Sequence, residues 1–225
     1  MYLSKRNFIL LVSSLMSLFA ILTYGVLTHA SWLGAMDQFG QVHLRTAVTP
    51  NKTFVLAWMT DVLGIYLPVL FTLGYIFLIL KKRHYKQLIW FISSIALSAV
   101  VIPSILKGVI DRPRPTPRLV IETTSSFPSG HSTSASFFYW FILFIVLSWG
   151  VMKLPKVMTM LATLIVILFV MWTRIYLNVH YLSDVSAGFI LGLMNALTFW
   201  YIGQHVLQDS LSVEQKLVDD SIDVC

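Results

Sequence analysis

The strongest constraint on this chain is a series of six long apolar segments separated by short polar connections. A helix needs about 20 mainly apolar residues to cross the hydrocarbon core of a bilayer. Asp61 is the only formally charged residue inside these segments. The sequence therefore predicts an all-α polytopic membrane protein with six transmembrane helices, at residues 7–28, 54–80, 87–106, 132–151, 157–173 and 185–207.

The composition excludes several other classes of protein. Charged residues make up 12% of the chain and apolar residues 57%, whereas a soluble domain carries about 25% charged residues. The single cysteine, Cys225, excludes a disulfide framework and a cysteine-rich metal site. The first apolar segment follows Lys5 and Arg6, as a signal peptide would, but it is long for such a signal. We interpret it as a membrane anchor.

The chain is expected to contain one six-helix domain, residues 1–207, followed by an acidic cytoplasmic tail, residues 208–225. Cytoplasmic connections of membrane proteins carry an excess of lysine and arginine. One side of the predicted bundle has such an excess, which places both termini in the cytoplasm of a multi-pass cell-membrane protein. The residues are Lys5, Arg6, Lys81, Lys82, Arg83, Lys86, Lys153 and Lys156.

Connections on the opposite side, residues 29–53, 107–131 and 174–184, also contain cations, against the topology rule. An anionic ligand on that face would account for them. We therefore expect an active site at the outer membrane face. The cations are Arg45, Lys52, Lys107, Arg112, Arg114, Arg118 and Arg174.

Three of these cations fit a phosphate site. Lys107 supplies a point charge, while Arg114 and Arg174 supply planar guanidinium groups that pair bidentately with phosphate oxygens. A lone arginine here would more simply contact lipid headgroups. Three cations beside two histidines favour a ligand site.

A second cluster, Pro128-Ser129-Gly130-His131, stands directly before the fourth predicted span. Ser129 suits the N-cap position, and the unpaired N–H groups of a first helical turn bind phosphate. A plain capped helix start is the alternative. His131 lies in the same turn and is a candidate proton donor to a bound phosphate ester.

A third cluster places His180 four residues before Asp184, a spacing at which two side chains share a helix face. A carboxylate on one ring nitrogen fixes the tautomer and frees the other nitrogen to attack as a nucleophile. A buried pair without chemistry is one alternative, and a zinc site with His131 is another. The neighbouring cations disfavour a metal ion, so no metal or cofactor is predicted.

Together the three clusters resemble the signature of the type 2 phosphatidic acid phosphatase family, whose relatives include glucose-6-phosphatase, bacterial acid phosphatases and vanadium haloperoxidases. Thr173 departs from the serine that the family usually has there, although threonine keeps the hydroxyl for phosphate. The matching elements, all within residues 107–184, are Lys107-x6-Arg114-Pro115, Pro128-Ser129-Gly130-His131 and Arg174-x5-His180-x3-Asp184.

The resemblance implies a metal-independent membrane hydrolase of lipid phosphates or diphosphates, such as phosphatidic acid, phosphatidylglycerol phosphate or undecaprenyl diphosphate. It implies that His180 attacks phosphorus to form a phosphohistidine, Asp184 orients His180, and His131 protonates the leaving oxygen. The residues implied to hold the phosphate are Lys107, Arg114, Ser129, Gly130 and Arg174.

Two other functions stay open at this level. A phosphotransferase would pass the phosphoryl group to another lipid or sugar, and a non-catalytic protein would bind or transport the lipid. The expected partners are a lipid phosphate and membrane lipids. Nucleic acid is not expected, because the remaining cations form no basic stripe or aromatic platform.

Three further features complete the prediction. Asp61 is an intramembrane carboxylate, which either contacts the active-site region or has a structural partner. Gly188 and Gly192 form a small-xxx-small pattern that lets another helix pack closely. Residues 33–48 mix apolar and polar side chains and predict a short interfacial helix.

Overall fold

The computed structural model describes residues 4–45, 47–149 and 155–222, with side chains described for residues 4–45, 47–147 and 155–204. Within those ranges the regular structure is helical and contains no β-strand. The helices are α1 (Lys5–Leu27), α2 (Ser31–Phe39), α3 (Pro50–Lys81), α4 (Tyr85–Ile110), α5 (Gly130–Trp149), α6 (Lys156–Tyr176) and α7 (Leu182–Ile222).

Six of these helices are long and apolar enough to cross a membrane, namely α1, α3, α4, α5, α6 and α7. Their spanning portions agree with the predicted segments to within four residues at each end. The prediction of an all-α, multi-pass membrane protein with six spans is thereby confirmed. Residues 150 and 151 of the predicted fourth span, and Lys153, lie outside the described residues.

Helices α3 and α4 each contain one π-helical turn, Val62–Tyr66 in α3 and Ala96–Val101 in α4. Pro68 and Pro103 follow these turns closely. A proline has no N–H for the helical ladder and crowds the carbonyl four residues earlier, so a local widening before it is expected. Single π turns within α-helices frequently mark functional sites.

The core of the bundle lies between α5 and α7, with α4 packed against both. Phe137, Phe141 and Phe144 of α5 pack against Leu197 and Trp200 of α7 in one buried cluster. The glycines of α7 allow the two backbones to approach. A Cβ on Gly188 would lie 2.7 Å from the Ser129 carbonyl oxygen, and one on Gly192 would lie 2.5 Å from that of Thr133. The predicted small-residue packing is therefore confirmed.

A short helix, α2, is present in the segment where residues 33–48 predict one, and it continues into a π-helical turn at Gly40–Leu44. Its interfacial position stays a prediction. Leu33 is buried against Leu22 and Val26 of α1. At the other end of the segment, the Trp172 indole donates a hydrogen bond to the Leu44 carbonyl at 2.9 Å. The segment thus covers the end of the bundle at which α1 ends and α7 begins.

The backbone of α7 stays helical to Ile222, so the predicted boundary after residue 207 falls within a continuous helix. Side chains beyond Gln204, and residues 223–225 with Cys225, lie outside what the structure describes. The acidic cytoplasmic tail at 208–225 stays a prediction.

Replacing Gly192 by alanine should destabilise the bundle, because the new methyl group would overlap the backbone of α5. Overpacking of this kind typically costs about 1–3 kcal/mol. Gly34→Ala is the matched control, since a Cβ there meets nothing within 4 Å. Thermal unfolding in detergent should show a lower Tm for Gly192→Ala only. An unchanged Tm would contradict the close approach of α5 and α7.

Candidate active site

Three helices and two connections meet around a polar cavity of about 170 Å³. The cavity is lined by the end of α4, the start of α5, the π-helical turn of α3, the connection 111–129 and the turn between α6 and α7. Five predicted site residues line this cavity, and five further residues complete the wall. The lining residues are Gly64, Ile65, Lys107, Arg114, Glu122, Thr124, Gly130, His131, Ser134 and His180.

The connection 111–129 is fixed by hydrogen bonds to itself and to the α6–α7 turn. The Ser126 N–H donates to the Arg112 carbonyl at 2.8 Å, which closes the connection on itself. The Asn178 amide donates to the Pro117 carbonyl at 2.6 Å, and the Leu119 N–H donates to the Leu177 carbonyl at 3.0 Å. These bonds hold the segment over the cavity although it has no regular structure.

Arg114 contacts His180 directly. Its guanidinium donates to the carbonyl oxygens of Thr124 at 2.7 Å and Val179 at 3.0 Å, and its Nη1 lies 3.2 Å from His180 Nε2. Arginine has donors but no acceptor. The Nε2 atom of His180 therefore accepts this bond, and in the neutral ring the hydrogen is on Nδ1.

His180 and Asp184 adjoin in the structure, as their spacing predicts. His180 Nδ1 lies 3.5 Å from Asp184 Oδ2, and both side chains are buried. The carboxylate accepts hydrogen bonds from the Tyr181 N–H at 2.9 Å and from Arg112 Nη1 at 2.5 Å. Burial, reinforced by the charges of Arg174, Arg114 and Lys107, lowers the pKa of His180 well below its ordinary value. The imidazole is consequently neutral near pH 7.

A second ion pair behind Asp184 was not anticipated from the sequence. Arg112 Nη2 donates to Asp37 Oδ2 at 2.6 Å, and its guanidinium lies 4.2 Å from the centroid of the Tyr181 ring. Asp37 also accepts the Ser183 N–H at 2.9 Å. Burial opposes the charge of Arg112, but Asp184 and Asp37 outweigh it and raise the arginine's pKa. Helix α2 thus helps to fix Asp184.

Glu122 is a second charged residue at the site that was not predicted from the sequence. Its carboxylate forms an ion pair with Arg174 and lies 3.3 Å from Arg114 Nη2. Burial opposes ionisation, but the charges of Arg174 and Arg114 outweigh it, so the pKa of Glu122 lies below its ordinary value. Arg174 is itself buried and does not line the cavity. A carboxylate therefore lies where the predicted site requires phosphate oxygens.

Lys107 reaches the same region from α4. Its ammonium group donates to the Ser125 carbonyl, and the Ser125 hydroxyl returns a bond to the Lys107 carbonyl at 2.7 Å. No carboxylate pairs directly with Lys107 among the described residues. Its charge is therefore available to an anion in the cavity.

Ser129 caps α5, as predicted, because its hydroxyl accepts the Ser132 N–H at 3.4 Å. The Ser129 N–H donates to the Asp184 carbonyl at 3.1 Å and links α5 to α7. Ser129 is fully buried and does not line the cavity, whereas Gly130 and Ser134 do. The structure therefore places Ser129 behind the site.

Thr173 does not present its hydroxyl to the cavity. The side chain is fully buried, and its hydroxyl donates to the Val170 carbonyl at 2.6 Å. Threonine in a helix commonly forms this bond back to the preceding turn. The expectation that the hydroxyl would be available for phosphate is therefore not met in this structure.

The structure gives Asp61 a partner. Its Oδ1 atom lies 3.2 Å from Nε2 of His131, so the intramembrane carboxylate of α3 contacts a predicted site residue. No group of three or more His, Cys, Asp and Glu side chains in the described part of the chain has a metal-binding arrangement. Asp61 contacts Nε2 of His131, and Arg114 contacts Nε2 of His180.

An apolar groove of about 610 Å³ lies between α3 and α5. It begins with Leu67, close to the cavity-lining Ile65 along α3, and extends to Leu78. The polar cavity and the apolar groove thus follow the same pair of helices. The groove is lined by Leu67, Leu70, Phe71, Gly74, Tyr75, Phe77, Leu78, Ile142, Ile145 and Val146.

The PAP2 superfamily model matches residues 87–207, which include all three sequence clusters. Phosphatidylglycerophosphatase B of Bacillus subtilis (strain 168) is 39% identical over 92 residues, covering 40% of this chain and 45% of the relative. The chain thus matches less than half the length of that curated relative.

Two solved structures are also similar. A transmembrane PAP2-type phosphatidylglycerolphosphate phosphatase from Bacillus subtilis superposes with a TM-score of 0.68 at 25% identity, covering 86% of this chain and 96% of the other. LpxE of Aquifex aeolicus gives a TM-score of 0.49 at 23% identity, covering 69% of this chain and 89% of the other.

Replacing Glu122 by glutamine should tighten the binding of inorganic phosphate, because it removes a negative charge from between two guanidinium groups. Charges a few ångströms apart at a partly buried site interact by a few kcal/mol, so an increase of about ten- to a hundredfold is expected. Isothermal titration calorimetry in detergent would measure it. Asp111→Asn is the control, since Asp111 is exposed and outside the cavity. Equal or weaker binding by Glu122→Gln would contradict this interpretation.

Proposed function

The chain belongs to the PAP2 superfamily, and we propose that it is an integral membrane phosphatase that removes the terminal phosphate of lipid phosphates or diphosphates. One observation carries this proposal. A cavity lined by Lys107, Arg114, His131 and His180 shares helices α3 and α5 with an apolar groove. Candidate substrates are phosphatidic acid, phosphatidylglycerol phosphate and undecaprenyl diphosphate.

The phosphate would bind by replacing the carboxylate of Glu122. Arg114 and Arg174 would exchange their ion pairs with Glu122 for phosphate oxygens, and Lys107 would add its charge. The Gly130 N–H at the start of α5 would complete the site, because helix N-termini bind anions through free amides and the helix dipole. Ser129 would act indirectly, as the cap that fixes this turn.

His180 would then attack phosphorus through Nε2, the nitrogen that Arg114 engages here. A Nε2–phosphorus bond forms as the bond to the leaving oxygen breaks, and His131 gives that oxygen a proton. Asp184 would hold the Nδ1–H and stabilise the positive ring. Water then attacks the phosphohistidine, inorganic phosphate departs and His180 is regenerated. The neutral state of His180 supports its role as nucleophile.

No metal ion is required in this scheme. Charge on the transferring phosphoryl group develops next to Lys107, Arg114 and Arg174, and preorganised cations stabilise it without reorganisation. We therefore propose a metal-independent reaction.

The groove between α3 and α5 would accept the acyl or prenyl tail. Its walls are apolar side chains, and its first residue, Leu67, lies two positions along α3 from Ile65 of the cavity that would hold the phosphate. The specificity would then depend on a terminal phosphate attached to a long apolar chain, and several headgroups would satisfy this requirement.

The site would face the outside of the membrane. The α3–α4 turn with Lys81, Lys82 and Arg83, and Lys156 at the start of α6, lie at the helix ends opposite the site. The positive-inside rule assigns those ends to the cytoplasm. Both termini would then be cytoplasmic, and lipids of the outer leaflet would be the substrates.

The central test of the proposed function is a phosphoenzyme assay in excess EDTA. Wild-type protein with phosphatidic acid should release inorganic phosphate and carry trapped phosphate on His180. His180→Ala should form neither phosphoenzyme nor product. His131→Ala should lose about 10²–10⁴-fold in turnover, the usual contribution of general acid catalysis. Alkaline quenching followed by mass spectrometry would locate the phosphate.

His29→Asn is the control for this assay, because His29 is exposed and has a positive φ that asparagine tolerates. Phosphate trapped on His131, or an activity that EDTA abolishes and magnesium restores, would contradict the proposed mechanism. Label that appears on an added alcohol acceptor instead of as free phosphate would identify a phosphotransferase. Binding without turnover of any lipid phosphate would identify a binding protein.

Orientation can be tested with cysteines in a Cys225→Ser background. Arg118→Cys lies in the exposed connection over the site, and Lys82→Cys lies in the α3–α4 turn. On intact cells a membrane-impermeant maleimide should label only Arg118→Cys, and after permeabilisation it should label both. The opposite pattern would place the site in the cytoplasm.

A further inference from the structure

We propose that Asp61 is a positioning residue for His131, whose carboxylate engages Nε2 so that Nδ1 is the nitrogen that transfers the proton to and from substrate. This inference rests on the proposed function, because it assigns a partner to the proposed general acid. Asp61 Oδ1 lies 3.2 Å from His131 Nε2, across an interval of 70 residues in the sequence. A carboxylate within a membrane span is costly unless it has a partner.

The π-helical turn of α3 builds this contact. Asp61 is the last residue before the turn Val62–Tyr66, and Gly64 inside the turn faces the His131 ring. A Cβ on Gly64 would lie 3.1 Å from His131 Cδ2, so a larger residue would crowd the ring. Asp61 thus contacts the imidazole at Nε2, and Gly64 lies against the same ring at Cδ2.

A third contact anchors the turn to the same helix as His131. The Tyr139 hydroxyl donates to the Leu63 carbonyl at 2.7 Å. Tyr139 lies eight residues after His131 on α5, about two helical turns along and near the same face. The π turn leaves the Leu63 carbonyl without its usual helical partner, and Tyr139 binds this carbonyl. Contacts therefore connect the turn, the Asp61 carboxylate and the His131 ring.

The chemical consequence concerns which nitrogen carries the proton. In the protonated ring, Nε2–H points to Asp61 and Nδ1–H is available to the leaving oxygen. When that oxygen takes the Nδ1 proton, the neutral ring keeps its hydrogen on Nε2. The Asp61 carboxylate accepts a hydrogen bond from this Nε2–H. The Nδ1 lone pair can then take a proton from the water that attacks the phosphohistidine. One nitrogen thus serves both half-reactions without a ring flip.

This role is distinct from that of Asp184, which contacts the other histidine. Asp184 is fully buried and shared with Arg112, whereas the Asp61 side chain is 45% exposed and contacts His131. Asp61 does not line the cavity that would hold the phosphate. It would therefore act through His131 and not on the substrate.

The test compares leaving groups in single-turnover phosphoenzyme formation. The alkoxide released from phosphatidic acid needs protonation, whereas the nitrophenolate released from p-nitrophenyl phosphate needs little. Asp61→Asn should slow phosphoenzyme formation from phosphatidic acid by at least about tenfold, a part of the roughly 10²–10⁴-fold that general acid catalysis supplies. The change with p-nitrophenyl phosphate should be less than about threefold on the same basis. Asp111→Asn is the matched control for this charge removal.

A double-mutant comparison adds a readout that a purely structural residue would not give. If Asp61 acts through His131, the double variant Asp61→Asn/His131→Ala should be no slower than His131→Ala alone. Gly64→Ala is a second variant, which leaves Asp61 in place and displaces the ring. It should show the same selective loss with the alkoxide substrate.

Equal slowing with both leaving groups, an additive double variant, or wild-type rates for Asp61→Asn would overturn the role of Asp61. Failure of the proposed function would look different, because wild-type protein would then form no phosphoenzyme from either substrate. If Asp61→Asn unfolds in detergent, as judged by gel filtration, the Gly64→Ala rates decide the question by the same criteria.

Discussion

The interaction on which the site depends is the pairing of buried and half-buried cations with carboxylates at one end of the bundle. Removing a charge from water is costly unless a partner compensates it. Arg112 is held by Asp37 and Asp184, while Arg114 and Arg174 share Glu122. Lys107 instead bonds to the Ser125 carbonyl. The three arginines therefore have carboxylate partners, whereas Lys107 has none among the described residues and can meet an anion in the cavity.

The geometry of this charge network depends on the close packing of the α5 and α7 backbones. Gly188 and Gly192 bring α7 against α5, and the Ser129 N–H then reaches the Asp184 carbonyl at 3.1 Å. That single bond sets the spacing between the start of α5, with His131, and the start of α7, with Asp184. Packing between the two helices thus determines the geometry at their ends.

Features that depend on local pattern could be predicted from the sequence, and features that depend on distant contacts could not. The six spans, the Ser129 cap, the glycine packing and the proximity of His180 to Asp184 follow from spacing along one or two elements. The bond from Ser183 to Asp37 joins residues 146 positions apart, and no periodicity signals it. Glu122 lies in a connection without regular structure. The Thr173 expectation failed because the hydroxyl has a nearer acceptor in its own helix.

Glu122 also bears on how such a site would work within a bilayer. Most lipid headgroups there are phosphodiesters with one negative charge on phosphorus, and a terminal phosphate carries up to two. A monoanion gains little by displacing the carboxylate that already joins Arg114 and Arg174, because it brings no additional charge to the same cations. A dianion gains more from every cation in the cavity, including Lys107. In the proposed reaction, the internal carboxylate would thus favour terminal phosphates over the surrounding diesters before any chemical step.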